Sequence, residues 1–119
     1  MTAPGPSLAG EDYCYLTTTG RVTGKPHTIE IWFSLEAGLL YLLAGSRERA
    51  DWVRNLRHTP SVQVRIRDVT YNATARLVSD VTEDTLARRL LVEKYTPRHQ
   101  GELDSWGRDA LPVAIDFKA

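Results

Sequence analysis

The sequence predicts a mainly β protein with flanking helices, in which about six strands form a small barrel beside two to three helices. Three observations predict it. Runs of alternating apolar and polar residues recur between turn residues, at 27–35, 62–67 and 112–117. Helical spacing is confined to a short stretch near 48–57 and a longer one near 80–96. Connections such as Glu36-Ala37-Gly38 are short enough to force antiparallel neighbours. Closing such a sheet removes its exposed edges, and an open α+β sheet is the alternative.

The elements follow in order. Residues 13–19 are aromatic and β-branched and read as the first strand. In the second, Ile29, Ile31, Phe33 and Leu35 take one face, and Thr28, Glu30, Trp32 and Ser34 the other. A hairpin leads into Leu39–Ala44, an apolar strand expected to be covered on both faces. Residues 48–57 place Trp52 and Leu56 four apart with Val53 beside them, and Pro60 bars continuation of that helix. Val62, Val64 and Ile66 alternate with polar residues, and Tyr71, Ala73, Ala75 and Leu77 share a face of the next strand. Asp80 or Thr82 can cap the second helix, with Glu83 in capping-box position after Asp80 and Leu86, Leu90, Leu91 and Tyr95 as its apolar stripe. A polar connector, 97–107, holds a helical turn around Trp106 before the last strand.

At 119 residues the chain is long enough to bury about two-thirds of its unfolded surface without staples. Residues 1–10, with Pro4, Gly5, Pro6 and Gly10, read as a flexible N-terminal arm without a signal-peptide pattern, and 11–119 as a single domain. Fifteen basic residues balance fifteen acidic ones, so no global field draws nucleic acid or an anionic membrane. The longest apolar run, Leu39–Ala44, is far too short to be an integral membrane segment. A lone cysteine, Cys14, fits a buried strand position in a reducing cytoplasm.

The chemistry concentrates in Leu16-Thr17-Thr18-Thr19-Gly20-Arg21-Val22-Thr23-Gly24-Lys25-Pro26. Gly20 and Gly24 permit positive φ, Arg21 and Lys25 supply charge, and the threonines supply neutral donors. That set suits an anion with several oxygens, most simply a phosphate, although a solvated basic hairpin has the same composition. It is not a P-loop: three residues separate the glycines, Pro26 stands where Ser or Thr belongs, and a strand follows. His27, His58 and His99 are scattered without metal-ligand spacing, and no serine sits in a nucleophile elbow. Trp52 and Asn55, three apart on one helix, offer an aromatic surface and an amide to a common cleft, or a core anchor and a helix-end hydrogen-bonder. Ala44-Gly45-Ser46 ends a strand in small residues that let backbone approach a flat ring.

Together with Trp32-Phe33 and the segments 60–64, 74–76 and 106–113, these motifs make the chain resemble the deazaflavin-dependent nitroreductase family. Its members use coenzyme F420 within a split β-barrel related to FMN-binding barrels. The resemblance implies that Arg21 and Lys25, with Thr23 and Gly24 beside them, meet the cofactor's phosphate and acidic tail. It also implies that Ala44, Gly45, Ser46, Trp52 and Asn55 position the deazaflavin. The implied chemistry is hydride transfer to a small-molecule acceptor such as a quinone, enone or nitro compound, with no catalytic side chain assigned. A non-catalytic binder of the deazaflavin or a small hydrophobic ligand, and an FMN enzyme of the same fold, share these residues. The resemblance allows a homodimer, and it leaves Trp32 open between a subunit interface and the ring pocket.

Overall fold

The computed structural model describes residues 3–117. Seven strands form one antiparallel sheet: β1 (Cys14–Thr19), β2 (Pro26–Ile31), β3 (Ser34–Glu36), β4 (Leu39–Ala44), β5 (Ser61–Ile66), β6 (Val69–Leu77) and β7 (Leu111–Phe117). Three helices accompany them: α1 (Asp51–His58), α2 (Val81–Tyr95) and α3 (Asp104–Asp109). The strand order is β2-β1-β5-β6-β7-β4-β3. β2 and β3 are therefore opposite edges of the sheet, yet only Trp32 and Phe33 separate them in the chain. Two residues span less than about 11 Å even when extended, so the edges must lie side by side and the sheet must curl. The result is a split barrel, as expected, closed by covalent continuity rather than by a ladder.

The single strand expected over 27–35 is thus two strands. Its face alternation survives, because Ile29, Ile31, Phe33 and Leu35 all pack on the core inside the barrel while Trp32 packs on the outer cluster. What changes is the pairing partner: Thr28 opposes Thr17 of β1, but Ser34 opposes Tyr41 of β4. At the crossing, α2 supplies the missing backbone partners. The Phe33 N–H donates to the Tyr95 hydroxyl at 3.0 Å, that hydroxyl donates to the Asp12 carbonyl at 2.7 Å, and Lys94 Nζ donates to the Phe33 carbonyl at 2.9 Å. Trp32 stacks on Tyr95 at 4.2 Å between ring centroids. Burial, with Arg98 nearby, holds the Lys94 ammonium down to about 8, and burial pushes the Tyr95 hydroxyl up to about 12.

β4 is covered on both faces: Leu40 and Leu42 point into the barrel, and Tyr41 and Leu43 pack beneath α2. The β3–β4 hairpin turns through Ala37 and Gly38, both with positive φ (51° and 81°), the pattern that matches strand twist. Val53 of α1 packs with Ala44 and Leu111, while Leu56 reaches the barrel interior. On α2 the fully covered residues are Ala87, Leu91 and Tyr95, with Leu86 and Leu90 half-buried at the edge of the stripe. Asp80 caps α2 by accepting from the Glu83 N–H at 2.9 Å. Glu83 does not return the bond as a capping box would. Its carboxylate accepts from both terminal nitrogens of Arg76 at 2.7 and 2.8 Å and from the Tyr41 hydroxyl, because a charged partner outbids a backbone N–H. Within residues 1–10, a 3-10 turn over Pro6–Leu8 places Leu8 against the barrel core. Cys14 is buried on β1, where burial raises its thiol to about 12. No described helix is long and apolar enough to cross a membrane.

Candidate functional site

β1 and β2 pair from Cys14↔Ile31 to Thr19↔Pro26, so the stretch 20–25 is the loop of a hairpin. Its conformation is set by Gly20 N–H to the Lys25 carbonyl at 2.8 Å and Gly24 N–H to the Gly20 carbonyl at 2.9 Å. Gly24 has φ +75°, where a Cβ is strained. Gly20 permits the same freedom but does not use it, since its φ is not positive. It is small for another reason, since a Cβ there would come within 2.7 Å of His27 Nε2. The Lys25 N–H bonds the Thr23 hydroxyl, and the Arg21 N–H bonds Asn55, so most loop amides are used internally. Among the described residues, the N–H groups of Val22 and Thr23 are left without an internal partner.

α1 holds this loop from below. Asn55, 4% exposed, accepts at Oδ1 from the Arg21 backbone N–H (3.2 Å) and from its guanidinium (2.8 Å). Its Nδ2 donates to the Thr18 hydroxyl at 3.2 Å. A second guanidinium nitrogen of Arg21 pairs with the Asp51 carboxylate at 3.2 Å. Asn55 is a hydrogen-bonder, as its alternative reading had it, but its partner is the basic loop rather than its own helix end.

The loop, β2 and α1 enclose a groove of about 460 Å³. Of the residues singled out in the sequence, Thr18, Gly20, Arg21, Thr23, Trp52 and Asn55 line it. Gly24 and Lys25 are in the same loop, but neither lines the groove, and both are exposed. Ala44 is 2% exposed in the cluster with Val53 and Leu111, so its methyl group belongs to the core. Gly45 and Ser46 are exposed and lie elsewhere: a Cβ on Gly45 would sit 3.8 Å from Trp106. Sequence reasoning missed His27, Thr28, Ile29 and Asp51, which also line the groove. The alternation of β2 was the available signal for Ile29, and the position of Asp51 four residues before Asn55 was the signal for the carboxylate.

A second groove, of about 350 Å³, opens further along β2 and is lined by Glu30, Ile31, Trp32, Leu43, Leu103 and Trp106. Trp106 meets the Trp32 ring edge to face, 5.6 Å between centroids and 89° between planes. Trp32 is therefore tied to Tyr95 and Trp106 within the chain, and it faces this groove.

Residues 2–117 match the family described as F420H(2)-dependent quinone reductase. The chain belongs to that family. Family membership makes it an F420-dependent oxidoreductase, with coenzyme F420 as its cofactor. Solved structures share the fold. One described as an F420 reductase is 21% identical with a TM-score of 0.68, over 98% of this chain and 97% of that one. An F420-H2-dependent reductase is 23% identical with a TM-score of 0.70, over 91% of this chain and 95% of its own. A third, described as a domain-swapped dimer, is 24% identical with a TM-score of 0.71, covering 91% of this chain and 81% of the other.

The donor set of the first groove fits the F420 family's cofactor. A guanidinium and exposed Thr23, with an indole beside apolar Ile29, provide oxygen-anion partners at one end and a flat apolar surface beside them. The groove lacks a second fixed cation among its lining residues, which limits the charge it meets well.

Proposed function

We propose that the groove between the basic loop and α1 holds the phosphate-bearing side chain of coenzyme F420, and that the chain is a quinone reductase. The observation that carries this is the convergence of Arg21 and Thr23 with Trp52 and Asn55, some thirty residues later, on one groove. In this reading Arg21, the Thr23 hydroxyl and the free N–H groups of Val22 and Thr23 receive the phosphate. Gly24 shapes the loop, and exposed Lys25 reaches the acidic tail beyond it. Asn55 acts by fixing Arg21, and Trp52 supports the ring.

When bound, the deazaflavin supplies a hydride; the protein binds and orients the two reactants and keeps water from between them. The groove of Trp32, Leu43, Leu103 and Trp106 is the proposed acceptor site. Its aromatic and aliphatic walls suit a flat quinone, and Gly45, beside Trp106 and followed by Ser46, lets backbone approach a ring closely. The family's description favours a quinone over a nitro compound or enone. No side chain is assigned as acid or nucleophile. A homodimer belongs to the proposal, supported by the domain-swapped dimer among similar structures. A cytoplasmic setting is supported by the free, buried Cys14.

Titration with F420 and with FMN separates the cofactors, and consumption of F420H2 with menadione as acceptor tests the reaction. The proposal expects micromolar F420 binding and menadione-dependent turnover. Binding without turnover on menadione or other quinones overturns the acceptor assignment.

A further inference from the structure

We infer that Asp51 is a specificity-determining residue, which by neutralising Arg21 fits the groove for a phosphate carrying one negative charge rather than two. The inference rests on the proposed reading of this groove as the anion end of the cofactor site.

Arg21 and Asp51 are the two residues lining the groove that carry a fixed charge, and they are of opposite sign. Asp51 Oδ1 lies 3.2 Å from an Arg21 terminal nitrogen. The aspartate is not needed to place the arginine, because Asn55 already accepts from both its backbone and its guanidinium. Nor does it add much to the fold: its side chain is 84% exposed, and pairs in that setting stabilise little. What remains is its field. Any phosphate that docks on Arg21 comes to within several ångströms of this carboxylate. At about 6 Å and an effective dielectric of about 40 to 80, one unit charge on the ligand costs a factor of roughly three to ten in affinity. A doubly charged ligand loses that factor twice. The deazaflavin's phosphate is a diester with one negative charge, whereas FMN carries a monoester that is close to doubly charged at neutral pH. Asp51 thus disfavours FMN at a groove whose Thr23 hydroxyl and indole would otherwise accept it.

The test uses two flavins that share a ring and a single phosphate but differ in its charge: FMN and riboflavin 4′,5′-cyclic phosphate, each competing with F420 in equilibrium dialysis. In Asp51→Asn, FMN is expected to gain about three- to tenfold more affinity than the cyclic ester at about 0.05 M KCl. The difference should close at about 1 M KCl, where the screening length falls to about 3 Å. Asp51→Glu should keep the wild-type ratio. An Asp51→Asn ratio equal to wild type, or no competition by FMN in a variant that still binds the cyclic ester, overturns the inference when Arg21→Ala still weakens the cyclic ester. If Arg21→Ala weakens neither, the anion-end reading fails and takes this inference with it.

Discussion

Asn55 Oδ1 accepts two hydrogen bonds from Arg21, one from the backbone N–H at 3.2 Å and one from the guanidinium at 2.8 Å. One buried amide therefore fixes both the path of the basic loop and the direction of its cation. Asn55→Ala leaves the Arg21 N–H and the Thr18 hydroxyl without their partner. We expect about 2–3 kcal/mol lower stability in urea unfolding, the range for a buried bond to a charged group. F420 affinity should fall as well, because the guanidinium is no longer held.

The Tyr95 hydroxyl joins Phe33 at the barrel crossing to Asp12 near the start of the described chain. Tyr95→Phe keeps the stack on Trp32 and removes only these bonds. A loss of about 1–3 kcal/mol is expected from the unpaired Phe33 N–H, measured by urea unfolding. A loss near zero would mean that Lys94 alone secures the crossing.

Local pattern made most of the fold legible. Val62, Val64 and Ile66 alternate because one face of β5 is buried, and Asp80 stands where an acceptor is needed ahead of α2. The break at Trp32-Phe33 was hidden because crossing from one sheet edge to the other preserves face alternation, and only the pairing partner changes. The partners that make the break affordable, Lys94 and Tyr95, lie some sixty residues away. At the site, Arg21 and Asn55 were visible as residue types, but their mutual bonding is a tertiary contact. Asp51 carried no reading of its own, and His27 read as one of three scattered histidines. Their place in the groove follows from the docking of α1 under the loop, which no spacing in the sequence encodes.

Gly107 on α3 faces Val92 of α2 so closely that a Cβ would overlap the Val92 methyl group. Gly107→Ala should cost about 1–3 kcal/mol through overpacking. Adding Val92→Ala should restore part of it, a non-additivity that a double-mutant cycle in urea reads directly.

Lys94 gives the fold a pH dependence of definite sign. The unfolded chain keeps this proton up to its ordinary value of 10.5, while the folded chain releases it at about 8. Between those values the unfolded state binds more protons, so the Lys94 contribution to stability rises with pH. The buried hydroxyls of Tyr41 and Tyr95, raised from 10.0 to about 12, act in the opposite sense only above their unfolded value. Between about pH 7 and about pH 9, wild type should gain stability relative to Lys94→Met in urea unfolding. Parallel pH profiles would show that Lys94 is not desolvated in solution.

Arg21, held by Asn55, is the proposed anion contact of the F420 site. The most direct measurement is the F420 dissociation constant of wild type and Arg21→Ala, with folding of the variant checked by circular dichroism. Arg21→Ala should weaken binding by about 1.5–3 kcal/mol, or roughly ten- to hundredfold, with a smaller effect for Lys25→Ala, which does not line the groove. An unchanged dissociation constant in a folded Arg21→Ala variant would contradict that assignment.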